Sequence, residues 1–439
     1  MISQAAARRF LFSFYCLFFL ATQLAARAAA AQSPNADLQM VVVLSRHGVR
    51  APLTKQPDLD KYSAAPWPKW DVAPGIQTDH GDQLIKIIGS WDRTHWSAEG
   101  LFDPDGCASA DRVTVIADTD QRTRATGKML AEGVFPGCSI AVHAQPEGAT
   151  NDPLFRPNES GKIHFDGIQA LAAVSGRMGR DPASLTAVYR PQLAALDRVL
   201  AGCGKLPANP ARASLLDVPA GLGAGSDGTP SPRGPVPTAA TLTENLLLEY
   251  TQGMSDAGTG WGCLDGATLR FAMQMSRANW DYGRRTPAVA RIYASNLLDH
   301  IEKSMQQSVT GKPVAGALGK PTDRLLILVG HDTNIATVAG ALGLDWTLDG
   351  LVDGTPPGGA LMFELWRSRT GGQFTVRTFY IAQSLEQMRQ SQPLTADNPP
   401  GIAPIFVPGC SGPDLSCTWD GFSAAIQKAI DPAYVIPPP

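Results

Sequence analysis

The sequence predicts an α/β protein with a mainly parallel sheet flanked by helices and a smaller helical domain inserted in the middle of the chain. Three apolar runs, at residues 38–45, 112–117 and 325–329, are typical of strands buried on both faces of a parallel sheet. Helical periodicity dominates the chain between the second and third runs. We therefore expect both ends of the chain to build the sheet.

The chain has 439 residues, of which 44% are hydrophobic and 18% are charged, so it can form two globular domains. We expect a signal peptide at 1–31, the first part of the α/β domain at 32–150, a mainly helical insertion at 151–282, and the second part of the α/β domain at 283–439. The expected helices lie at 121–133, 191–200, 241–251, 267–282 and 287–306. Residues 219–238 are rich in glycine, proline and serine, and we expect a mobile, exposed loop there that is dispensable for chemistry.

The first 31 residues have the three regions of a secretory signal peptide. Arg8 and Arg9 precede an apolar run at 10–20, and small residues follow it. That run is short for a membrane-spanning helix, which needs roughly 20 apolar residues. We expect cleavage near Ala31 and a periplasmic or secreted protein without a membrane anchor. Cleavage there removes three arginines and no acid, which takes the formal net charge from −3 to −6. No basic stripe indicates a nucleic-acid partner.

Polar motifs directly follow the predicted strands. The segment SRHGVRAP lies at 45–52, and GHDTN lies at 330–334. After the second apolar run, Asp120 is expected to cap a helix and to place Arg122 in its first turn, where backbone amides favour phosphate. Parallel strands present their carboxyl ends at one sheet edge, and arginine forks match phosphate oxygens. The sequence therefore predicts a site for phosphoryl transfer.

These motifs resemble those of the histidine acid phosphatases, and within them the bacterial periplasmic phytase branch. Further segments recur there in a similar order: DQRTR at 120–124, QGM at 252–254, RTPAVAR at 285–291 and DGTPPGG at 353–359. The similarity covers most of the chain after the first forty residues and is weakest at 171–241. It implies a phosphoglycerate-mutase-like fold and a phosphomonoester hydrolase that acts on phytate, myo-inositol hexakisphosphate, through a phosphohistidine. It implies no cofactor and no metal, and we expect a monomer.

The resemblance also implies roles for individual residues. His47 is the expected nucleophile, and Asp332 is the expected general acid that protonates the leaving alkoxide. A nucleophilic imidazole needs one unprotonated nitrogen, whereas a general acid must carry its proton. The residues expected to bind the substrate phosphate are Arg46, Arg50, Arg122 and His331.

Each role has a structural alternative. His47 would otherwise be a buried structural histidine, and the arginines would form surface ion pairs. Arg124 stands two residues from Arg122, so either side chain can be the one that points inward. Asp332 would otherwise cap the helix that follows it, although one residue can do both.

Substrate specificity rests on single residues. Phytate needs cations beyond the catalytic clamp, and the resemblance suggests Lys55 and Arg285, together with Met254 in the segment that begins at Gln252. Leu53 favours a sugar phosphatase, because phytases of this type tend to have threonine after the Ala-Pro. The alternatives are therefore a glucose-1-phosphatase or broad sugar-phosphate phosphatase, a phosphoglycerate mutase, which export disfavours, and a non-catalytic phosphate-binding protein.

Six of the seven cysteines lie outside the predicted signal peptide, and an even number in an exported chain indicates disulfides. A zinc site is disfavoured because the chain has no Cys-x-x-Cys or His-x-x-x-His spacing. The resemblance implies pairs between Cys107 and Cys138 and between Cys410 and Cys417. Cys203 and Cys263 remain as a third pair, which departs from the pairing expected for the branch.

Overall fold

The computed structural model describes residues 35–149 and 152–437. The predicted signal peptide lies outside these residues. Within the described residues, no helix combines the length and the apolar character needed to cross a bilayer.

The central feature is a mixed sheet of eight strands in the order β11-β10-β9-β1-β6-β2-β3, with β12 beside β10. In the described part of the chain the strands are β1 (Ala36–Arg46), β2 (Val113–Ala117), β3 (Val142–His143), β4 (Gly221–Ala224), β5 (Pro230–Arg233), β6 (Leu325–Gly330), β7 (Thr347–Leu348), β8 (Leu351–Val352), β9 (Ala360–Ser368), β10 (Phe374–Ala382), β11 (Gly401–Ile405) and β12 (Ser416–Thr418). Strands β1, β6, β2 and β3 are parallel neighbours. The predicted parallel core is confirmed, and an antiparallel half, β9 to β12, extends it.

Helices cover both faces of this sheet. The α-helices of the described residues are Gln56–Asp60, Asp79–Ala98, Gln121–Val134, Gly167–Arg177, Ser184–Val188, Arg190–Leu200, Pro235–Thr251, Gly266–Gly283, Pro287–Thr310, Asp332–Leu342, Leu385–Arg389 and Trp419–Ala429. Successive residues of β1 point to opposite faces. Val41 and Val43 therefore pack against the helices Asp79–Ala98 and Gln121–Val134. Val42 lies on the other face, in a core that includes residues of the helix Pro287–Thr310.

A separate hydrophobic core lies among the helices of the middle of the chain. Leu196, Leu246 and Leu269 come from three of these helices and belong to this core. Val49 and Leu84, which precede the predicted insertion, also belong to it. The helical core therefore continues into the first part of the chain, and the domain boundaries stay a prediction.

The segment 219–238 is a β-hairpin followed by the start of a helix, so the prediction of an exposed loop is wrong. Strands β4 and β5 pair antiparallel from Gly221 opposite Arg233 to Ala224 opposite Pro230. The helix then begins at Pro235. The hairpin strands contain several glycines and prolines, which are rare in strands, so the local composition predicted a loop instead. A tertiary contact holds its turn, because the hydroxyl of Tyr293 donates to Asp227.

The cysteines form two disulfides. Cys107 is bonded to Cys138 and Cys410 to Cys417, as the resemblance implied. Cys203 and Cys263 are free thiols, so the expected third pair is not formed. Burial raises the pKa of Cys263, and the thiol of Cys203 is close enough to raise it further.

Candidate active site

The register of β1 against β6 brings the two predicted motifs together. Arg46 stands opposite Gly330 at the carboxyl ends of these parallel strands, so the residues that follow each strand enter the same space. The backbone N–H of His47 donates to the carbonyl oxygen of Gly330 at 3.1 Å. His47 and His331 lie side by side, with ring centroids 5.5 Å apart. This agrees with the prediction that the carboxyl ends of the parallel strands meet at one edge of the sheet.

His47 is 2% exposed and lines a cavity of about 310 Å³. Its Nδ1 atom lies 2.8 Å from the carbonyl oxygen of Gly48. Because a carbonyl only accepts hydrogen bonds, Nδ1 carries the proton, and the lone pair of the neutral ring is on Nε2. Nε2 has no hydrogen-bond partner among the described residues.

The surroundings of His47 disfavour its protonation. Burial lowers the pKa of the imidazole well below 6.5, and the positive charges of Arg50 and Arg46 lower it further. Arg122 and His331 add smaller contributions in the same direction. The imidazole is therefore the unprotonated, nucleophilic form even in mildly acidic solution.

Three arginines surround His47. Arg46 contacts the carbonyl oxygen of Thr355 and forms an ion pair with Glu244. Arg50 donates from Nη1 to the carbonyl oxygen of Ala51 at 3.0 Å. The Nη2 atom of Arg122, in the first turn of the helix Gln121–Val134, lies 2.7 Å from the carboxylate of Asp120.

These arginines share one unusual feature. The Nε atoms of Arg46, Arg50 and Arg122 are all buried, and none of them has a hydrogen-bond partner in the described structure. A buried donor without a partner costs free energy, about 1–3 kcal/mol each. Three guanidinium groups beside one neutral imidazole give this site a positive charge that favours an anion.

Of the two arginines that the sequence left open, Arg122 lines the cavity. Arg124 instead donates from Nε to the carbonyl oxygen of Thr119 at 3.0 Å and contacts the carbonyl oxygen of Gln145. The backbone engages Arg124 away from His47, so the geometry supports the choice of Arg122.

His331 belongs to a network that the sequence did not indicate. Its Nε2 atom lies 2.6 Å from Oδ2 of Asp118 and 3.3 Å from Oδ2 of Asp120. Arg156 approaches Asp118 to 2.7 Å and also contacts Asp120. Burial opposes ionisation of Asp118, but the hydrogen bond and positive charge of His331 and the charge of Arg156 hold its pKa below the ordinary value.

Asp118, Asp120 and His331 also have the donor atoms of a possible metal site, which lie within 4.8 Å of one another. The guanidinium of Arg156 contacts both carboxylates, so a positive charge of the chain itself already lies beside them. The expectation of a metal-independent reaction stays a prediction.

Asp332 is the first residue of the helix Asp332–Leu342, and His331 is its N-cap. One carboxylate oxygen of Asp332 accepts from the backbone N–H of Thr333 at 2.9 Å, and the other lies 3.3 Å from Arg46. Asp332 also lines the cavity with His47. Its carboxyl group therefore reaches the cavity beside His47, and it also stabilises the first turn of the helix.

Glu244 is a further residue that the sequence analysis missed. It lies on the helix Pro235–Thr251, forms the ion pair with Arg46, and approaches Arg50 to 3.9 Å. Arg46 and Glu244 are separated by 198 residues. Helical periodicity did not predict this contact. The only indication in the sequence was a charged residue on a helix that is otherwise largely apolar.

The three residues proposed for specificity lie elsewhere. Lys55 is exposed beside the short helix Gln56–Asp60. Met254 lines a different cavity, together with Gln252. Arg285 is buried and forms an ion pair with Asp345. These three residues do not line the cavity that contains His47, whereas Leu53 does.

Comparisons with known proteins agree with this geometry. The model of the histidine phosphatase superfamily (branch 2) matches residues 37–381. The chain belongs to this superfamily. Phytase AppA of Escherichia coli is 36% identical over 417 residues, which cover 93% of this chain and 95% of that protein. The glucose-1-phosphatase of Salmonella typhimurium is 28% identical over 402 residues, which cover 90% and 92%.

The comparison with solved structures also finds a phytase. The structure of Hafnia alvei phytase in complex with myo-inositol hexakis sulphate has a TM-score of 0.84 and 34% sequence identity. The match covers 92% of this chain and 100% of that chain. The fold predicted from the sequence is therefore that of a histidine phosphatase of branch 2.

Proposed function

We propose that this protein is a phosphomonoester hydrolase that forms a phosphohistidine on His47, and that phytate is its main substrate. One observation carries the proposal. His47 has a free Nε2 beside the positive charges of Arg46, Arg50 and Arg122. A phosphate dianion supplies the negative charge and the acceptor oxygens that this arrangement needs.

In the first step, Arg46, Arg50, Arg122 and His331 bind the phosphate of the substrate. The Nε2 lone pair of His47 attacks phosphorus while the bond from phosphorus to the ester oxygen breaks. The carboxylic acid of Asp332 gives its proton to the departing alkoxide, so the alcohol leaves neutral.

In the second step, water attacks the phosphohistidine and the bond between phosphorus and Nε2 breaks. The carboxylate of Asp332 accepts the proton of the attacking water, which returns it to its acid form. The lone pair returns to His47, and inorganic phosphate leaves. The arginines stabilise the charge that moves in both steps, so each step balances without a metal or another cofactor.

Two observations support phytate as the substrate. The relatives with 34–36% identity are phytases, and one of them is known in complex with an inositol hexakis sulphate. The cavity also contains two arginines beyond the expected clamp, Arg156 and Arg284. These additional cations suit a substrate with several phosphates.

Glucose 1-phosphate is the second candidate substrate. A glucose-1-phosphatase is 28% identical to the chain. Leu53 favours this candidate. Its apolar side chain is 56% exposed and lines the cavity, where it cannot donate a hydrogen bond to one of the additional phosphates of phytate.

We also infer that the protein is exported to the periplasm or secreted. Two disulfides support this inference, since disulfides persist in oxidising compartments. We further propose that the protein acts as a monomer.

Release of phosphate by the purified protein tests the function. The kcat/KM values for phytate, glucose 1-phosphate and p-nitrophenyl phosphate are measured from pH 3 to pH 8. We expect hydrolysis of all three, with the highest kcat/KM for phytate at acidic pH. A preference for glucose 1-phosphate would replace the proposed substrate, and no hydrolysis of any of the three would refute the enzyme assignment.

A further inference from the structure

Two neighbouring arginines at the end of the helix Gly266–Gly283 have opposite environments. Arg285 is 8% exposed, and its Nη2 atom contacts the carbonyl oxygen of Leu344 and the carboxylate of Asp345. Asp353 lies 3.8 Å from the same guanidinium. Arg285 is thus enclosed and neutralised, and its charge serves to hold the fold.

Arg284 lines the cavity that contains His47. Its Nη1 atom donates to the carbonyl oxygens of Pro230 and Gly283, both at 3.2 Å, and its guanidinium lies 5.1 Å from the ring centroid of Tyr293. Neutral groups therefore fix its position. The Nε and Nη2 atoms donate to no described residue, and no carboxylate of the described chain lies within 4 Å of the guanidinium.

The carboxylate of Asp227, which lines the same cavity as Arg284, already accepts several hydrogen bonds. Asp227, at the turn of the β4–β5 hairpin, lines the same cavity. Its carboxylate accepts from the hydroxyl of Tyr293 and from Nδ2 of Asn158, at 2.5 and 3.0 Å. The hydroxyl of Thr229 donates to it as well, at 2.7 Å. Burial opposes ionisation of Asp227, whereas these donors and the positive charge of Arg284 lower its pKa. No carboxylate of the described residues lies within 4 Å of the guanidinium of Arg284, so its Nε and Nη2 atoms can donate to another anion.

The position of this charge matters for the substrate. Arg46, Arg50 and Arg122 surround His47 and suit the phosphate that is attacked. Arg284 lies against Tyr293 and the β4–β5 hairpin. Tyr293 and Asp227 of the hairpin line another part of the cavity, apart from the three arginines around His47. An inositol ring that carries several phosphates can fill both parts of the cavity, whereas a small monoester fills only the part at His47.

We propose that Arg284 binds a phosphate of the substrate other than the one that His47 attacks, and thereby selects multiply phosphorylated substrates. The inference rests on the proposed function, and it gives to Arg284 the role that the sequence had suggested for Arg285. The neutral contacts with Pro230 and Tyr293 hold the guanidinium in place before the substrate binds, which lowers the ordering cost of binding.

Isothermal titration calorimetry tests the inference without turnover. The probes are myo-inositol hexakis sulphate and inorganic phosphate, with the wild type, Arg284→Gln and Arg284→Lys. We expect Arg284→Gln to raise the Kd of the hexakis sulphate about 10-fold, the size expected when a hydrogen bond to a charged group is lost. The Kd of inorganic phosphate should change much less, and Arg284→Lys should restore part of the affinity.

Arg198→Gln is the matched control, because Arg198 is exposed on the helix Arg190–Leu200 and does not line the cavity. Thermal unfolding of each variant shows whether it folds. An unchanged Kd for the hexakis sulphate in Arg284→Gln would overturn the inference, as would an equal loss for both probes or no binding of the hexakis sulphate by the wild type. Binding without turnover would leave the inference standing and would refute the proposed function.

Discussion

The Nδ1 atom of His47 lies 2.8 Å from the carbonyl oxygen of Gly48. This contact fixes the tautomer, because the carbonyl can only accept, and it leaves Nε2 as the nucleophilic atom. The backbone of the residue next to the nucleophile therefore orients the ring, and no carboxylate is needed for this purpose. Burial and the charges of Arg50 and Arg46, rather than this contact, keep the ring neutral.

The pH dependence of kcat/KM should reflect the low pKa of His47. Burial, with the charges of Arg50 and Arg46, holds this pKa well below 6.5, so protonation of His47 limits the rate only in strongly acidic solution. Arg122→Gln removes one positive charge, which raises the pKa of His47. The acid limb of kcat/KM for p-nitrophenyl phosphate should then move to higher pH, in addition to a lower maximum.

Arg124→Gln is the control for this experiment, because Arg124 contacts backbone carbonyls and does not line the cavity. Its acid limb should stay where the wild type has it. A wild-type limb at or above pH 6.5, or equal movement in both variants, would contradict the electrostatic explanation.

Asp332→Asn should slow the release of poor leaving groups most. An amide cannot protonate an alkoxide, so kcat for phytate should fall about 100-fold or more, whereas p-nitrophenolate leaves with little protonation and should lose much less. Asparagine keeps an oxygen that accepts from the N–H of Thr333, so the start of the helix is preserved. Steady-state kinetics with both substrates decide the matter, and equal losses would mean that Asp332 only stabilises the helix.

The parts of the site that follow strands could be predicted from the sequence, because strand patterns are local and parallel strands end at one edge. Arg46, His47 and His331 are of this kind. Glu244 and Arg156 could not be predicted in this way, because their partners are distant in the sequence and no strand leads to them.

Neighbouring residues on a helix end posed a different problem. Arg284 and Arg285 follow the last residue of the helix Gly266–Gly283 in an irregular turn, so only the tertiary structure shows which of them meets the cavity. The β4–β5 hairpin was concealed for a related reason. Its glycines and prolines carry no strand signal, and its hydrogen bonds to Asn158 and Tyr293 come from other parts of the chain.

Stability should decrease from acidic to mildly alkaline pH because of Glu249. This carboxyl group is 1% exposed, and burial raises its pKa from 4.5 to about 8. Below about pH 4.5 the group is neutral in both states, whereas between the two values only the unfolded state ionises, which favours unfolding. Glu249→Gln should therefore gain stability relative to the wild type as the pH rises from 5 to 8, by about 3.5 kcal/mol.

Urea unfolding at several pH values measures this difference. Glu147→Gln serves as the control, because Glu147 is exposed. The same pH dependence in wild type and Glu249→Gln would show that Glu249 is not the source.

Cys203 and Cys263 should form a disulfide when an oxidant is supplied. Burial, together with the neighbouring Cys203, raises the pKa of Cys263 to about 11. Oxidised glutathione should convert the two thiols into one disulfide and release two reduced glutathione molecules, faster at pH 9 than at pH 7. Thiol titration and mass spectrometry follow the loss of both thiols.

The new disulfide should stabilise the fold by about 2 kcal/mol, since it closes a long loop in the unfolded chain. The double variant Cys203→Ser/Cys263→Ser should not respond to the oxidant. Thiols that persist after treatment, or a lower Tm after oxidation, would show that the two cysteines cannot be bridged without distortion.

The most direct test of the account is to trap the covalent intermediate. Wild type and His47→Ala are mixed with phytate, quenched in base within one turnover, and digested for mass spectrometry. We expect one phosphoryl group on His47 of the wild type, stable in base and labile in acid, as a phosphorus–nitrogen bond requires. His47→Ala should fold, bind the substrate, carry no phosphoryl group and show no turnover. A phosphoryl group on another residue of the wild type, or an active His47→Ala protein, would contradict the account.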